Sequence, residues 1–233
     1  MQKRLVRKLD LEMLLSQVKP HPTPTPSLEQ YTVPADVAAT VLSIAAYANN
    51  DVVGKTVLDL GCGTGRLSLG AAFLGAKKVV GVDIDTTAVR TAVENSVRTN
   101  LKGKVEWVAA DIEAIYGRFD TVLQNPPYGV QKRKADRRFL EKALETAKSV
   151  YSLHKSSGDD AHLIDRLQAG KGGVALVSPS AFMEKFVESR GGKINAVYAL
   201  VMTVPHMFSF HTKVRHKFLV DLYVMEGKAD GGL

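Results

Sequence analysis

One short segment restricts the fold of this chain more than any other, because an apolar run leads directly into a turn with three glycines. The run is Val57-Leu58-Asp59-Leu60 and the turn is Gly61-Cys62-Gly63-Thr64-Gly65. An amphipathic helix is predicted to follow from about Arg66 to Leu74. A strand, a glycine-rich turn and a helix in this order are the context of a cofactor-binding loop. The sequence therefore predicts an open α/β sheet with a ligand site at the carboxyl ends of its strands.

Two further predicted strands end next to carboxylates. Residues 78–82 run into Asp83, and residues 105–109 are followed by Asp111 and Ile112. Asp83 follows the glycine turn at about the distance at which such folds hold an acid for ribose hydroxyls. Asp111 on an exposed loop is otherwise an ordinary turn or N-cap residue. These positions extend the predicted site along one edge of the sheet.

The spacing of the glycines distinguishes two kinds of cofactor loop. Dinucleotide-binding loops follow G-x-G-x-x-G, whereas this turn follows G-x-G-x-G with an acid two residues before the first glycine. This form resembles the S-adenosylmethionine loop of class I methyltransferases. The resemblance implies that Gly61 and Gly63 let the backbone approach the methionine moiety. It also implies that Asp111 accepts from the adenine of the cofactor while Ile112 packs on the ring. A nucleotide-binding domain of another kind is the alternative.

A Pro-rich tetrapeptide follows the apolar run 119–123. Its sequence is Asn125-Pro126-Pro127-Tyr128, and it lies where an open α/β sheet places its chemistry, beyond the carboxyl end of a strand. Pro126 keeps Asn125 out of the helical region, and two successive prolines fix φ at about −65°. The side-chain oxygen of Asn125 and the carbonyl of Pro126 can therefore converge on one point.

Two converging acceptors are suited to hold both hydrogens of an exocyclic amino group. When these hydrogens are held out of the ring plane, the nitrogen moves toward tetrahedral geometry and its lone pair turns toward an incoming methyl group. Tyr128 adds a flat face on which an extruded base can stack. The pattern therefore predicts an amine-methylation site, and an ordinary Pro-rich turn is the alternative.

Length and composition favour one full α/β domain. The chain has 233 residues, of which 45% are hydrophobic, and this suffices for one complete core. No apolar run reaches about 18 residues and no hydrophobic leader begins the chain, so we expect neither a membrane-spanning nor a secreted protein. The single cysteine, Cys62, excludes an internal disulfide and a Cys-rich metal site, and it fits a cytoplasmic location. We expect Cys62 to be a small residue that fits the turn, not a nucleophile.

The positive charge of the chain points to a polyanionic partner. The formal net charge is +7 and the isoelectric point is about 9.4. One basic run directly follows the Asn-Pro-Pro-Tyr motif, and another precedes the last predicted strand. Because the first run lies beside the predicted pocket, we expect phosphate contacts and a steep dependence of binding on salt. The predicted RNA-binding residues are Lys132, Arg133, Lys134, Arg137, Arg138, Lys155, His211 and Lys213.

The remaining pattern completes one Rossmann-like domain. An N-terminal helix with an apolar stripe of Leu5, Leu9, Met13 and Leu14 is predicted to cap it, and a Pro-rich linker is predicted to form an extended strap. Further helices are predicted near 34–48, 138–150 and 181–188, and further strands at 174–178, 194–204 and 218–225. These elements give a seven-stranded sheet with helices on both faces. We predict three regions, namely the N-terminal helix and linker (1–26), a methyltransferase domain (27–228) and a short tail (229–233).

Five segments of the chain recur together in one known family. They are Leu28-Glu29-Gln30-Tyr31, the loop 59–65, Gly81-Val82-Asp83-Ile84-Asp85, Asn125-Pro126-Pro127-Tyr128-Gly129 and Val150-Tyr151-Ser152-Leu153-His154-Lys155-Ser156-Ser157. With them the chain resembles the methyltransferase-like protein five group, which comprises archaeal and eukaryotic N6-adenosine methyltransferases of small-subunit ribosomal RNA. The resemblance covers about residues 28–157 and resumes near 210–213.

The resemblance implies S-adenosylmethionine as the cofactor and adenosine N6 in small-subunit ribosomal RNA as the methyl acceptor. Asn125, Pro126, Pro127 and Tyr128 would grip the target, and transfer would be a direct displacement that needs no strong base before attack. Eukaryotic members need a small zinc-binding activator subunit, which makes such a subunit a candidate partner here. The implied cofactor-binding residues are Gln30, Tyr31, Val33, Asp59, Gly61, Gly63, Thr64, Asp83, Ile84, Asp111, Ile112 and Asn125.

The Tyr-Ser-Leu-His-Lys segment has two interpretations. We assign residues 151–155 to RNA handling or to packing. Because they follow a predicted helix, His154 and Lys155 are alternatively C-terminal helix caps.

Three other functions remain open from the sequence. Asn-Pro-Pro-Tyr also serves the methylation of glutamine amides in proteins, but a protein substrate leaves the basic run without a clear purpose. A DNA adenine methyltransferase would share the pocket, although this short chain has no obvious target-recognition domain. A non-catalytic RNA-binding or ribosome-assembly factor would keep the fold, but intact acids, glycines and Asn-Pro-Pro-Tyr argue against lost activity.

Overall fold

The computed structural model describes residues 5–25, 28–128, 135–156, 158, 161–169, 173–205 and 215–228. The described residues form an α/β fold around one mixed sheet. No described helix combines the length and the apolar character that a membrane span requires. Five of the predicted RNA-binding residues lie outside the described ranges: Lys132, Arg133, Lys134, His211 and Lys213.

Eight strands of described residues build the sheet, in the order β3-β2-β1-β4-β5-β8-β7-β6. The strands are β1 Thr56–Leu60, β2 Lys78–Asp83, β3 Glu106–Ala109, β4 Phe119–Gln124, β5 Ala147–Lys155, β6 Val174–Leu176, β7 Lys193–Pro205 and β8 Arg215–Glu226. Strands β1 to β5 run parallel, and β8, β7 and β6 extend the sheet in antiparallel pairs. The strand order reverses between β1 and β4, and this switch point creates a crevice at their carboxyl ends.

Helices cover both faces of the sheet. The α-helices are α1 Lys8–Ser16, α2 Ala35–Ser43, α3 Arg66–Leu74, α4 Thr86–Arg98, α5 Ala135–Thr146, α6 Ala161–Ala169 and α7 Ala181–Glu188, and a π-helical turn, Ile44–Ala48, extends α2. Apolar side chains of α1, α2 and α3 pack on one face, and those of α5 and α7 pack on the other. The predicted class, a Rossmann-like α/β sheet with helices on both faces, is confirmed.

The predicted count of seven strands is wrong because the predicted helix over 138–150 includes the start of β5. Helix α5 ends at Thr146, and the chain enters β5 at Ala147 with no turn between them. β5 is paired on both sides, with β4 and with β8, and it is buried on both faces, so its sequence shows no simple alternation. His154 and Lys155 therefore belong to a strand, and the alternative that they cap a helix is wrong.

The predicted inner face of α1 is also corrected. Of the predicted stripe only Leu14 is buried, whereas Leu5, Leu9 and Met13 are exposed. The residues that pack on α2 and α3 are instead Leu11, Leu14, Leu15 and Val18, which follow the i, i+3, i+4, i+7 pattern of one helix face. The segment carries two apolar stripes, and tertiary packing decides which of them is buried.

Strands β7 and β8 project beyond the rest of the sheet. The last pair between β5 and β8 is Lys155 with Val220. In contrast, β8 stays paired with β7 as far as Arg215 with Pro205. We call this projecting part, residues 201–205 and 215–219, the ribbon. It stands beside the carboxyl end of β5, at the edge of the sheet where the crevice opens.

Candidate active site

A cavity of about 270 Å³ opens at the carboxyl ends of β1, β2 and β4. It lies at the switch point of the sheet, where α/β folds bind their ligands. The predicted site residues that line it are Gln30, Tyr31, Val33, Asp59, Gly61, Gly63, Thr64, Asp83, Ile84, Asp111, Ile112, Asn125, Pro127 and Arg138. The structure thus brings every predicted cofactor-binding residue to one cavity.

Backbone conformation favours glycine in this turn, and at Gly61 close packing favours it as well. Gly63 has a φ of +53°, a left-handed conformation that is costly for most residues, and its N–H donates to Asp83 Oδ2 at 2.8 Å. Gly61 has a φ of +68°, and a Cβ atom there would lie 2.9 Å from Phe139 Cε1. A side chain at Gly61 would therefore strain the turn and press against α5.

Asp59 joins β1 to α3 from beneath the glycine turn. Its Oδ2 accepts from Ser68 N at 2.9 Å and from Ser68 Oγ at 2.5 Å. Asp59 is 1% exposed, and this burial raises its pKa to about 7 although the bonds from Ser68 act in the opposite direction. A cation at the cavity would favour the ionised carboxylate, so Asp59 is suited to face the ammonium group of an amino acid moiety.

Asp83 ends β2 and fixes the next turn of the chain. Besides the bond from Gly63, its Oδ1 accepts from Asp85 N at 2.9 Å. Burial raises the pKa of Asp83, and the two backbone bonds oppose that shift. Each carboxylate oxygen has a second lone pair. Asp83 can therefore also accept from neighbouring hydroxyl groups of a bound ribose.

An apolar and acidic end of the cavity is formed by Ile84, Ile112 and Asp111. Ile84 is 58% exposed, so it offers apolar surface that the protein leaves largely uncovered. Asp111 Oδ1 accepts from Glu113 N at 3.0 Å and from Arg138 Nη2 at 3.2 Å. Because both of these bonds go to Oδ1, Oδ2 can accept from a ligand. Apolar surface beside a carboxylate suits a purine that carries an amino group.

The segment before α2 lies over the cavity, and we call its described residues between 18 and 33 the cover segment. Gln30 Nε2 donates to Asp85 Oδ2 at 2.7 Å, and Gln30 Oε1 accepts from Thr25 N at 2.7 Å. His21 Nε2 lies 3.1 Å from the same oxygen of Asp85. Burial alone would raise the pKa of Asp85, but its hydrogen bonds outweigh this and lower the pKa. Asp85 thus anchors the cover segment at the start of α4.

Two further side chains attach the cover segment to the cofactor-binding elements. Asn95 on α4 exchanges two hydrogen bonds of 3.0 Å with the backbone of Lys19. Arg66 on α3 donates to Val18 O at 2.8 Å and to Val33 O at 2.5 Å. Asn95, Arg66 and His21 were not predicted from the sequence, because each contacts a partner far along the chain and none belongs to a local motif.

We call the Asn-Pro-Pro-Tyr turn, residues 125–128, the target motif. The amide of Asn125 connects the cover segment to it. Its Oδ1 accepts from Tyr128 Oη at 3.0 Å, and its Nδ2 lies 3.4 Å from the carbonyl oxygen of Tyr31. These contacts orient the amide with its oxygen toward Tyr128. An amide oxygen has two lone pairs, so Oδ1 can accept a hydrogen of a target amino group in addition.

Tyr128 is packed against the ribbon. Its ring lies edge-on to Phe218 with 6.1 Å between the centroids, and Oη contacts Met202 Sδ at 3.6 Å. Both partners are buried. Burial raises the pKa of Tyr128, so its hydroxyl stays protonated at neutral pH. The ribbon therefore holds the aromatic ring next to Asn125.

The donors and acceptors of the cavity fit S-adenosylmethionine. Thr64 Oγ1 is buried at the cavity and has no hydrogen-bond partner among the described residues, which is costly unless a ligand supplies one. Asp59 suits an ammonium group, Asp83 suits ribose hydroxyls, and Ile84 offers apolar surface. Cys62 is buried, and burial raises its thiol pKa well above the usual value. This agrees with its prediction as a turn residue rather than a nucleophile.

The predicted RNA-binding residues that the structure describes lie in three environments. Arg138 is at the cavity and forms ion pairs of 3.2 Å with Asp111 and Glu113, so its charge is shared with two carboxylates. Arg137 is half-buried in the first turn of α5, and Lys155 is exposed at the end of β5. Arg137 and Lys155 are thus the described candidates for contact with RNA at the carboxyl edge.

His154 belongs to the core rather than to the surface. It is 8% exposed, and burial lowers its pKa to about 4, so the ring is neutral at pH 7. Gln124 Nε2 donates to Ser152 Oγ at 2.9 Å, and Ser152 Oγ lies 2.7 Å from His154 Nε2. This segment was assigned to RNA handling or to packing, and the structure supports packing for His154. The polar chain begins at Gln124, the residue before Asn125.

This fold and this cavity define a class I methyltransferase that uses S-adenosylmethionine. Comparison with known proteins supports the class. A family model for ribosomal protein L11 methyltransferase (PrmA) matches residues 36–126. The matched part runs from α2 through the glycine turn to the start of the target motif.

Comparison with individual proteins resolves the family. The rRNA N(6)-adenosine-methyltransferase Mettl5 of Drosophila melanogaster is 42% identical over 154 residues, which cover 63% of this chain and 72% of the relative. An uncharacterised protein of Methanocaldococcus jannaschii is 36% identical over 221 residues, 90% of this chain and 89% of its own length. A crystal structure of a candidate RNA methyltransferase from Pyrococcus horikoshii has a TM-score of 0.79 and 35% identity, over 97% of this chain and 100% of that one. The chain belongs to the Mettl5 family of rRNA N6-adenosine methyltransferases.

Proposed function

We propose that this chain transfers the methyl group of S-adenosylmethionine to N6 of an adenosine in small-subunit ribosomal RNA. The observation that carries the proposal is the position of Asn125. Its amide stands at the cofactor cavity, oriented by Tyr31 and Tyr128. An amine held there lies next to the methyl donor, and curated relatives of the chain are named rRNA N(6)-adenosine-methyltransferases.

The target adenosine is gripped by the Asn-Pro-Pro-Tyr motif. The Oδ1 atom of Asn125 and the carbonyl of Pro126 each accept one amino hydrogen, and Pro127 keeps the turn rigid. The ring of Tyr128 stacks on the extruded base. These contacts direct the lone pair of N6 toward the cavity.

The cofactor supplies an electrophilic methyl group on a sulfonium. The chain contributes position and the removal of water, which account for most of the rate in such a displacement. Asp59 and Thr64 would hold the methionine end, Asp83 would hold the ribose, and Asp111 with Ile112 would hold the adenine, all beneath the cover segment. No side chain is required as a strong base, because the N6 proton becomes acidic only as the new bond forms.

RNA and a protein subunit are the proposed partners. Arg137 and Lys155 contribute positive charge near the cavity, which favours a phosphate backbone as the ligand. Strand β3 is the outermost strand at one edge of the described sheet, and its outer backbone groups are available for pairing. A small zinc-binding activator subunit, as implied by the family resemblance, would add at such an edge.

The test of the proposal offers several substrates under one condition. The pure protein is incubated with deuterium-methyl S-adenosylmethionine and with small-subunit RNA, large-subunit RNA, DNA or a glutamine-containing ribosomal peptide. Each sample is repeated with a candidate activator subunit. Labelled N6-methyladenosine from small-subunit RNA alone is the expected result. Label in the peptide or in DNA would replace the proposal with that activity, and absence of label from every sample would contradict catalysis.

A further inference from the structure

A row of three side chains in contact, which we call the ladder, leads from the core to the surface beside the cavity. Phe186 is buried, and its ring lies 5.6 Å from that of Phe182. Phe182 is 46% exposed, and Arg137 Cζ lies 4.7 Å from the centroid of its ring. Arg137 is in the same helical turn as Ala135 and Arg138, which line the cavity. The outer end of the ladder is therefore a guanidinium group next in the chain to Arg138, which lines the cavity.

Hydrogen bonds fix the start of α7, which carries Phe182. Ser180 Oγ caps α7 by accepting from Met183 N at 3.3 Å, and Ser180 N donates to Tyr223 Oη at 3.3 Å. The Tyr223 ring is in turn edge-on to His154 at 5.5 Å. These contacts hold the start of α7, and with it Phe182, against the polar chain of Gln124, Ser152 and His154.

The guanidinium at the end of the ladder forms no ion pair among the described residues. Burial raises the pKa of the neighbouring carboxylate of Asp136, and the charge of Arg137 acts to lower it. No carboxylate among the described residues forms an ion pair with Arg137, whereas Arg138 pairs with Asp111 and Arg190 pairs with Glu141. A guanidinium group that lies over an aromatic ring and forms no ion pair is suited to stack a nucleobase and to donate to phosphate.

We propose that Phe182 and Arg137 form a binding site for one unpaired RNA base that neighbours the target adenosine. The base stacks on the outer side of the Arg137 guanidinium, which Phe182 supports from below. This proposal rests on the proposed RNA methylation. An enzyme that extrudes its target must also hold the neighbouring single strand, and stacking on aromatic or arginine planes does so without requiring a particular sequence.

The test measures the affinity of two conservative variants for RNA. The probe is a short fluorescein-labelled RNA with one central adenosine flanked by uridines. Phe182→Leu removes the aromatic plane, and Arg137→Lys keeps the charge but removes the planar group. Each is expected to raise the Kd by about 10-fold and to raise the KM for RNA while leaving kcat within about twofold. Equal Kd values for both variants and the unaltered protein would overturn the proposal.

A second set of probes locates the base. Each flanking uridine is replaced in turn by an abasic nucleotide. An abasic nucleotide at the stacked position lowers the affinity of the unaltered protein to that of Phe182→Leu or Arg137→Lys. These two variants lose no further affinity on this RNA, because they already lack the contact. An equal loss of affinity at every abasic position would contradict a single stacking position.

Two matched controls carry the same kind of contact away from the outer end of the ladder. Arg190 lies 3.7 Å from the centroid of Phe186 but is paired with Glu141. Tyr116 is 82% exposed, and Lys142 Nζ lies 5.3 Å from the centroid of its ring. Arg190→Lys and Tyr116→Leu are expected to leave the Kd unchanged. A loss as large as that of Phe182→Leu would show that the effect is not local to the outer end of the ladder.

The failure of this proposal can be told from the failure of the proposed function. If the unaltered protein methylates RNA but Phe182→Leu and Arg137→Lys bind it normally, only the stacking site is wrong. If the unaltered protein neither binds nor methylates RNA, the proposed function fails and the stacking site fails with it.

Discussion

The cofactor half and the target half of the cavity differ in how their polar groups are held. In the cofactor half, Asp59, Asp83 and Asp85 each accept bonds from the backbone of a neighbouring element. In the target half, the described residues that orient Asn125 are Tyr31 and Tyr128. The first half is fixed by the strands and helices of the sheet, and the second by contacts between side chains and turns.

This difference has a consequence for ligand binding. The cofactor half needs no rearrangement of Asp59 and Asp83, since each keeps lone pairs for a ligand. In the target half, an entering adenine must share the oxygen of Asn125 with the Tyr128 hydroxyl. We therefore expect cofactor binding to survive changes in the target half, and methyl transfer to be sensitive to changes in both.

The largest effect is expected at Asn125. Asn125→Ala should lower the rate of methyl transfer by about 100-fold or more, because an acceptor aligned with the reacting amine is lost. The Kd for S-adenosylmethionine, measured by calorimetry, should stay within about threefold, since the carboxylates of the cofactor half are untouched. A parallel loss of cofactor binding would mean that the two halves are not separable.

The reverse pattern is expected at Asp83. Asp83→Asn keeps the size of the side chain but removes the charge that receives the ribose hydroxyls and the N–H of Gly63. The Kd for S-adenosylmethionine should rise by about 30-fold, while the rate at saturating cofactor falls much less. Equal affinity in the variant and the unaltered protein would remove Asp83 from the cofactor site.

The buried His154 should make the region behind the target motif sensitive to acid. The unfolded chain takes up this proton near pH 6.5 and the folded chain only near pH 4, so stability falls as the pH falls between these values. From pH 7 to pH 5 the unaltered protein should lose about 2 kcal/mol of unfolding free energy that His154→Gln retains. Urea unfolding at both pH values measures this difference, and identical pH dependence in the two proteins would contradict a buried neutral histidine.

A small effect is expected at Arg138, although it lines the cavity. Its ion pairs with Asp111 and Glu113 are partly exposed, and such pairs contribute little. Arg138→Ala should change the Kd for S-adenosylmethionine by less than about fivefold. A larger change would show that Arg138 contacts the cofactor directly.

The parts of the fold that sequence analysis predicted are those with a local cause. The glycine turn, the ends of β1, β2 and β4, and the Asn-Pro-Pro-Tyr turn each follow from neighbouring residues, and the structure gathers them at one cavity. β5 was missed because Ala147 follows α5 without a turn residue and because both faces of the strand are buried. The wrong face of α1 was chosen because Leu5, Leu9 and Met13 share a helical period as regular as that of the buried stripe.

The parts that sequence analysis could not predict depend on distant partners. His21, Arg66 and Asn95 position the cover segment through contacts that join separate parts of the chain. None of them belongs to a motif, and each has a common alternative role as a surface or helix residue. The stack of Phe182 under Arg137 likewise depends on the packing of α7 beside α5.

The most direct test of the account is the identity of the methylated product. Small-subunit RNA is treated with deuterium-methyl S-adenosylmethionine and either the unaltered protein or Asn125→Ala, then digested and analysed by mass spectrometry. We predict labelled N6-methyladenosine with the unaltered protein and its loss with Asn125→Ala, although both proteins bind the cofactor. Label on another atom, or equal label with both proteins, would contradict it.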